Sequence, residues 1–327
     1  MIGRRTAAAL LAGGAWLAWR RRAGADLTGR VALVTGGSRG LGFLLAEELL
    51  AQGCAVAICG RDRETLERAR AALREGAGEE AAVLAVRCDV ADPADVAELV
   101  AKVVATYGQL DVLINNASTL QGAPLATLHR EDFEEALAAG FWGMVHTTLE
   151  ALPHLRRTGG RIANITLIGG KVVVPHLLPY DCAEFAAVGF SEGLRAELAG
   201  SGVTVTTVTA MSARRAATAV VAALRRGDAE IVLSWQTRLL RLAHALAPGA
   251  LTRVMGVANR VLPGAPGSPA VADGPGPEGA EAHGGRPGAT GEPAGGQGRW
   301  TRGRELRGSL PGPLEEALDR SGRTTNQ

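Results

Sequence analysis

The chain has 327 residues, with 35 Lys and Arg against 33 Asp and Glu, a formal net charge of +2, 46% hydrophobic residues and only 4% aromatic ones. Intermixed charge gives no polyanion signal, and so few aromatics leave little for a base-stacking surface, which argues against a nucleic-acid partner. The length accommodates one large α/β domain with extensions.

The N-terminus sets an apolar run, Thr6 to Trp19, between Arg4-Arg5 and Arg20-Arg21-Arg22. As a helix its fourteen residues would span about 21 Å, short of the roughly 30 Å hydrocarbon core of a bilayer. Residues 1–25 read as a membrane anchor or interfacial helix. A cleaved signal peptide shares the basic start and apolar middle, with Ala23-Gly24-Ala25 resembling a cleavage box, but three arginines straight after the run favour cytoplasmic retention. An ordinary surface helix is the third reading. The expected location is the cytoplasm or the cytoplasmic side of a membrane.

Val31-Ala32-Leu33-Val34 then runs into Thr35-Gly36-Gly37-Ser38-Arg39-Gly40-Leu41-Gly42, followed by the helical spacing of Leu44, Leu45, Glu48 and Leu49. This order reads as strand, phosphate-binding turn and helix. Gly36 and Gly40 free the backbone to turn and approach a pyrophosphate, Gly42 lets the helix sit close on the strand, and the helix N-terminus offers N–H groups to an anion. A second strand, Ala55 to Cys59, ends at Gly60-Arg61-Asp62. In a dinucleotide fold that strand end meets the adenosine ribose. An acid there suits a 2′-hydroxyl and an arginine a 2′-phosphate, so Arg61, with Arg39 from the loop, points to NADP over NAD.

Further strands are expected at Ala82–Arg87, before Asp89-Val90, and at Leu110–Ile114, before Asn115-Asn116-Ala117-Ser118. Helix and strand patterns then alternate: a helix over Phe133–Leu155, strand Arg161–Thr166, helix Tyr180–Leu198, strand Val203–Val208, helix Ala213–Arg225 capped by Ser212, strand Ile231–Leu233 and helix Leu239–Leu246. Such alternation predicts a doubly wound parallel sheet of the Rossmann type over residues 26–262. Cys54, Cys59, Cys88 and Cys182 form no Cys-x-x-Cys pair and read as small core residues in a reducing compartment. From Pro263 to Gly298, 19 of 36 residues are glycine or proline, so residues 263–300 are expected to be a disordered linker. Residues 301–327 form a polar tail in which Leu314–Leu318 suits a short helix.

Taken in order, these motifs resemble the short-chain dehydrogenase/reductase family from about Leu27 to Leu262. The resemblance implies an NADP-dependent oxidoreductase acting on an alcohol or carbonyl. It implies cofactor contacts from Gly36, Ser38, Arg39, Gly40, Leu41, Gly42 and Arg61, from Asp89 and Val90 at the adenine, and from Asn116 and Ala117 on the nicotinamide side. It also implies association through the two long helices around 133–155 and 180–198. Family members reduce carbonyls with four cooperating residues: a tyrosine proton donor, a serine that polarises the oxygen, a lysine that lowers the phenol pKa, and an asparagine that positions a water. Position by position these fall on Tyr180, Leu167, Glu184 and Gly140, so only the tyrosine is present. Lys171 and His176 are candidate replacements, whereas Thr166, one residue from the serine position in a strand, points to the other face. The Pro-Gly expected after the sixth strand is Thr209-Ala210, and the substrate-closing segment that should follow is missing. The sequence thus supports an oxidoreductase scaffold whose reaction half is eroded, or a catalytically inactive NADP(H)-binding pseudoenzyme serving as sensor or scaffold.

Overall fold

A computed structural model describes residues 24–120, 122–210, 213–233 and 235–247, with isolated positions up to 256. The expected N-terminal anchor, Met211-Ser212, the glycine- and proline-rich linker and the tail lie outside the described residues, apart from Gly24 and Ala25. Seven strands form one sheet in the order β3-β2-β1-β4-β5-β6-β7. They are β1 (Val31–Thr35), β2 (Ala55–Gly60), β3 (Val83–Arg87), β4 (Val112–Asn115), β5 (Arg161–Leu167), β6 (Thr204–Ala210) and β7 (Glu230–Val232). Every pairing is parallel, with Val34 opposite both Ile58 and Ile114. Strands covered on both faces are built from continuous apolar runs, and all five residues of β1 are buried.

Helices α1 (Gly40–Ala51), α2 (Arg63–Ala77) and α7 (Ala213–Arg226) pack Leu45, Leu49, Leu73, Val220 and Leu224 against one face of the sheet. Helices α3 (Pro93–Tyr107), α5 (Gly143–Thr158) and α6 (Leu178–Glu197) close the other with Leu99, Val103, Leu155 and, just past the end of α6, Leu198. Asp62 and Asp92 cap α2 and α3, accepting from the Thr65 and Ala94 N–H groups at 2.8 Å. After β3 the chain returns to the middle of the sheet to form β4, so the strand order reverses between β1 and β4. In an open α/β sheet the crevice at that switch point is where ligands bind.

The expected single helix over 133–155 is instead three pieces: α4 (Arg130–Leu137), one π-helical turn over Ala138–Trp142, and α5. A Cβ at Gly143 would stand 2.6 Å from Val90 Cγ2, so this stretch lies directly against the loop after β3. Strand β6 ends at Ala210 and α7 starts at Ala213, which leaves two residues for the connection. The last helix, α8, covers Trp235–Leu246.

A chain of buried polar groups ties α6 to the sheet. Asn115 Nδ2 donates to Asn164 Oδ1 at 2.9 Å and to Thr148 Oγ1 at 3.0 Å, and Thr147 Oγ1 donates to Asn115 Oδ1 at 2.6 Å. Asn164 Nδ2 donates to Ser191 Oγ at 3.0 Å. Ser191 Oγ lies 2.7 Å from Thr207 Oγ1, to which Arg195 also donates at 2.7 Å. Removing one member leaves its neighbours buried without partners, which costs more than the bond itself. Asn164→Ala should therefore lower the unfolding free energy in urea by about 2–4 kcal/mol, whereas Arg68→Ala, in an exposed pair with Glu64, should leave it unchanged within error.

Candidate active site

The glycine-rich loop joins β1 to α1 at the switch point. Gly36 and Gly40 have φ of +63° and +57°, a region open to glycine at little cost. Gly42 permits the closest approach: a Cβ there would collide with the Gly36 carbonyl oxygen and stand 2.5 Å from Asn116 Nδ2. Asn116 locks the loop from β4, donating through Nδ2 to the carbonyls of Thr35 at 3.1 Å and Gly36 at 3.3 Å. The N–H groups of Asn116 and Ala117 both donate to Thr35 Oγ1, at 2.9 and 3.0 Å. The N-terminus of α1 has no side-chain cap and no acid in its first turn, so its N–H groups remain available to an anion.

Four residues expected at the adenosine end border this crevice. Arg39 and Arg61 are exposed, and Ser38 Oγ lies where a Cβ at Gly60 would meet it at 3.3 Å. Thr65 holds the Asp62 carboxyl below its ordinary range by hydrogen bonding, with smaller help from Arg68 and Arg39. Asp89 Oδ1 accepts from Ala91 N–H at 3.1 Å, and Val90 is buried against Gly143.

The reaction end is closed. Tyr180 is 3% exposed, and its hydroxyl faces the Glu184 carboxyl, whose charge and hydrogen bond add to burial in holding the phenol protonated. The Gly169-Gly170 turn lies on it: a Cβ at Gly169 would stand 3.1 Å from Tyr180 Cε1 and 2.6 Å from Asp181 Oδ1. Leu167 and Glu184, the residues at the serine and lysine positions, bond to each other, with Leu167 N–H donating to Glu184 Oε2 at 2.7 Å. Asp181 repeats the device one turn earlier, its Oδ2 accepting from Val174 N–H at 2.9 Å while Oδ1 has no partner. At Gly140 a Cβ would stand 3.3 Å from Ala183 Cβ, so the asparagine position is taken up by close packing on α6.

Neither candidate replacement bonds to the phenol. The Lys171 ammonium lies 3.3 Å from Glu192 and 3.2 Å from Glu230. His176, at φ +67°, contributes its carbonyl to Ala123 N–H, and burial lowers its imidazole pKa. Thr166 points elsewhere, donating to the Val208 carbonyl at 2.8 Å. Among the described residues no cluster of His, Cys, Asp and Glu is arranged to hold a metal.

Charge at this end works against a phenolate. Burial, then the Glu184 charge, pushes the Tyr180 pKa well above 10. Burial pushes Glu184 up to about 7 against the pull of the Leu167 N–H and the Tyr180 hydroxyl. It also pushes Asp181 up to about 7, with the neighbouring Glu184 adding to the shift. Asp181 was not singled out by the sequence, because a residue adjacent to Tyr180 on a helix points about 100° away from it. Its signal would have been an acid in the first turn of a helix whose preceding loop returns across it.

The short chain dehydrogenase family model matches residues 30–225. The protein named for ketoacyl reductase 1 of the granaticin polyketide synthase of Streptomyces violaceoruber is 38% identical over 54% of this chain and 65% of its own length. A Streptomyces coelicolor protein named for a ketoacyl reductase is 40% identical over 54% and 68%. An actinorhodin polyketide ketoreductase variant crystallised with NADPH superposes with a TM-score of 0.53 at 36% identity, over 55% of this chain and 69% of its own. The chain belongs to the short-chain dehydrogenase/reductase family, and it spans about two thirds of the length of these relatives.

The buried carboxyls give a pH signature. A carboxyl whose folded pKa is raised binds its proton more tightly in the native state, so stability falls as pH rises from the unfolded value through the folded one. For Asp181 and Glu184 that window runs from ordinary values of 3.8 and 4.5 to about 7. The wild-type urea midpoint should drop between pH 5 and 8, with Glu184 alone accounting for on the order of 3 kcal/mol. Asp181→Asn with Glu184→Gln should flatten the profile, because neither amide titrates and the amide oxygen that Glu184→Gln leaves in place still accepts from Leu167 N–H. A wild-type midpoint that rises over this range would contradict the assignment.

Proposed function

We propose that this protein binds NADP(H) in the β1/β4 crevice and no longer reduces carbonyls, acting as a nucleotide-responsive sensor or scaffold. The reading is carried by one observation: Tyr180, the member of the catalytic set that the sequence retains, is buried beside a carboxylate in the lysine position.

The crevice fits the dinucleotide. Gly36 and Gly40 hold the positive-φ turn that presents backbone to the crevice, Gly42 lets α1 pack against the loop, and the uncapped α1 N-terminus supplies donors. Ser38 and Leu41 complete the loop. Arg39 and Arg61 would hold a 2′-phosphate, Asp89 and Val90 the adenine, and Asn116 and Ala117 the nicotinamide side. The actinorhodin ketoreductase, crystallised with NADPH, supports this choice. When bound, the reduced cofactor supplies hydride. The residues around it cannot complete the reduction of a carbonyl, which needs a proton delivered to oxygen and a donor for the developing negative charge. No described cation lies beside Tyr180 Oη to lower its pKa, Leu167 offers no hydroxyl, and Glu184 opposes the charge that builds on oxygen. Loss of a single oxyanion donor commonly costs 10²–10³ in rate. The connection from β6 to α7 is two residues long, too short to form a cover that closes over a bound substrate.

Two measurements test this together. Fluorescence titration should show NADPH binding at least tenfold, about 1.4 kcal/mol, tighter than NADH, with Arg61→Ala erasing most of the preference. NADPH oxidation across a carbonyl panel should stay at background in the wild type and in Tyr180→Phe alike. Equal affinities for the two cofactors would contradict the 2′-phosphate assignment, and robust turnover abolished by Tyr180→Phe would contradict the loss of catalysis.

A further inference from the structure

The buried acids of α6 lie beside the nicotinamide end of the crevice, and a chain of contacts leads from one to the other. A Cβ at Gly36, in the glycine-rich loop, would stand 3.1 Å from Ala117 Cα, and a Cβ at Gly140 would meet both Ser118 Oγ at 3.8 Å and Ala183 Cβ at 3.3 Å. The segment that follows β4 therefore runs from the loop to the turn of α6 that carries Glu184. From the other side, Glu184 accepts from the N–H of Leu167, the last residue of β5. Strand β5 lies next to β4, with Asn164 opposite Asn115, so this carboxyl sits at the carboxyl edge of the sheet, one strand over from the crevice.

Among the described residues no cation acts on Glu184. On α6 its neighbours are Tyr180 and Asp181. In the connection packed over them, the Lys171 ammonium is committed to Glu192 and Glu230, and burial favours the neutral form of His176. The charged residues of α4 are turned outward: Arg130, Glu131, Glu134 and Glu135 are exposed, and Asp132 accepts from His129 N–H. The π-helical turn and the residues Thr166 and Thr209 near the ends of β5 and β6 add no charge. What faces the nicotinamide end from α6 is thus acidic, where a lysine in position 184 would make it basic.

A nicotinamide ring carries a positive charge when oxidised and none when reduced, while the rest of the dinucleotide is the same in both forms. We propose that Glu184, backed by Asp181, makes this site favour the oxidised form, so that the protein responds to NADP⁺ against NADPH. The inference rests on the nucleotide-binding reading above and adds the state that is sensed. Unit charges about 10 Å apart at an effective dielectric of about 20 change an equilibrium by roughly tenfold. The coupling is reciprocal: the cationic ring favours loss of the acids' protons, and loss of those protons favours the cationic ring. Both acids hold protons up to about pH 7, so the preference is small below that pH and reaches its full size above it.

Isothermal titration calorimetry of the full chain with NADP⁺ and with NADPH, at pH 6 and pH 8, reads this directly. Both ligands carry the 2′-phosphate, so its own titration cancels in the ratio of their affinities. The ratio of NADP⁺ to NADPH affinity should rise at least fivefold, about 1 kcal/mol, from pH 6 to pH 8 in the wild type and stay constant in Asp181→Asn with Glu184→Gln. At pH 7, NADP⁺ binding to the wild type should release on the order of half a proton more than NADPH binding, counted in buffers of different ionisation heat. This count needs no variant, so it decides the matter whether or not the amide variant folds. A ratio unchanged by pH, equal proton release by the two cofactors, or a pH dependence that persists in the folded amide variant, as titration of His146 beside the Val90 carbonyl would give, would overturn the proposal and leave the nucleotide reading standing. Failure of both cofactors to bind at either pH would bring down the nucleotide reading itself, and this inference with it.

Discussion

The bond from Leu167 N–H to Glu184 Oε2 is the contact on which the reaction end depends. It joins two positions that in the family serve the chemistry and turns them into a clasp between the end of β5 and the first turns of α6. With Asp181 holding Val174 N–H, the whole β5–α6 connection is drawn down onto the helix. The closed position of the Gly169-Gly170 turn and the burial of Tyr180 beside the Glu184 carboxyl both follow. The clasp has a cost, because two carboxylates are buried beside each other and no described cation is paired with them, and both respond by holding protons up to about pH 7.

The nucleotide half obeys different constraints. Its geometry rests on backbone: glycines at positive φ, an uncapped helix start, and Asn116 pinning the loop from the neighbouring strand. None of these depends on Gly140, Leu167 or Glu184, so the glycine-rich crevice and the buried Tyr180 coexist in one sheet. The polar chain from Asn115 through Asn164 and Ser191 to Thr207 joins the halves and keeps α6 in register.

Much of this was legible in the sequence where the determinants are local. Alternating apolar runs and helical patterns pointed to the doubly wound sheet, and Thr35 to Gly42 marked the loop at the switch point. Gly140, Leu167 and Glu184 stood out because a motif fixes their spacing from Tyr180. What could not be read depends on chain segments folding back on one another. The π-helical turn at Ala138–Trp142 interrupts a periodicity that continues on both sides, and the contact of Gly143 with Val90 beside it joins residues more than fifty apart. The burial of Asp181 and the clasp of Glu184 on Leu167 arise only when the 168–177 connection turns back over α6. Lys171 looks available as a replacement cation in the sequence, but its ion pairs with Glu192 and Glu230 hold it elsewhere.

The central claim is that Tyr180 cannot act as an activated phenol, and its ionisation can be observed directly. The chain has two tyrosines, Tyr107 and Tyr180, so ring-labelled ¹³C-tyrosine gives two signals that Tyr180→Phe assigns. In the folded protein saturated with NADPH, the Tyr180 signal should stay in its protonated position past about pH 10, where a free phenol titrates. A Tyr180 signal that titrates below about pH 9 would reveal a cation lowering its pKa and contradict the account.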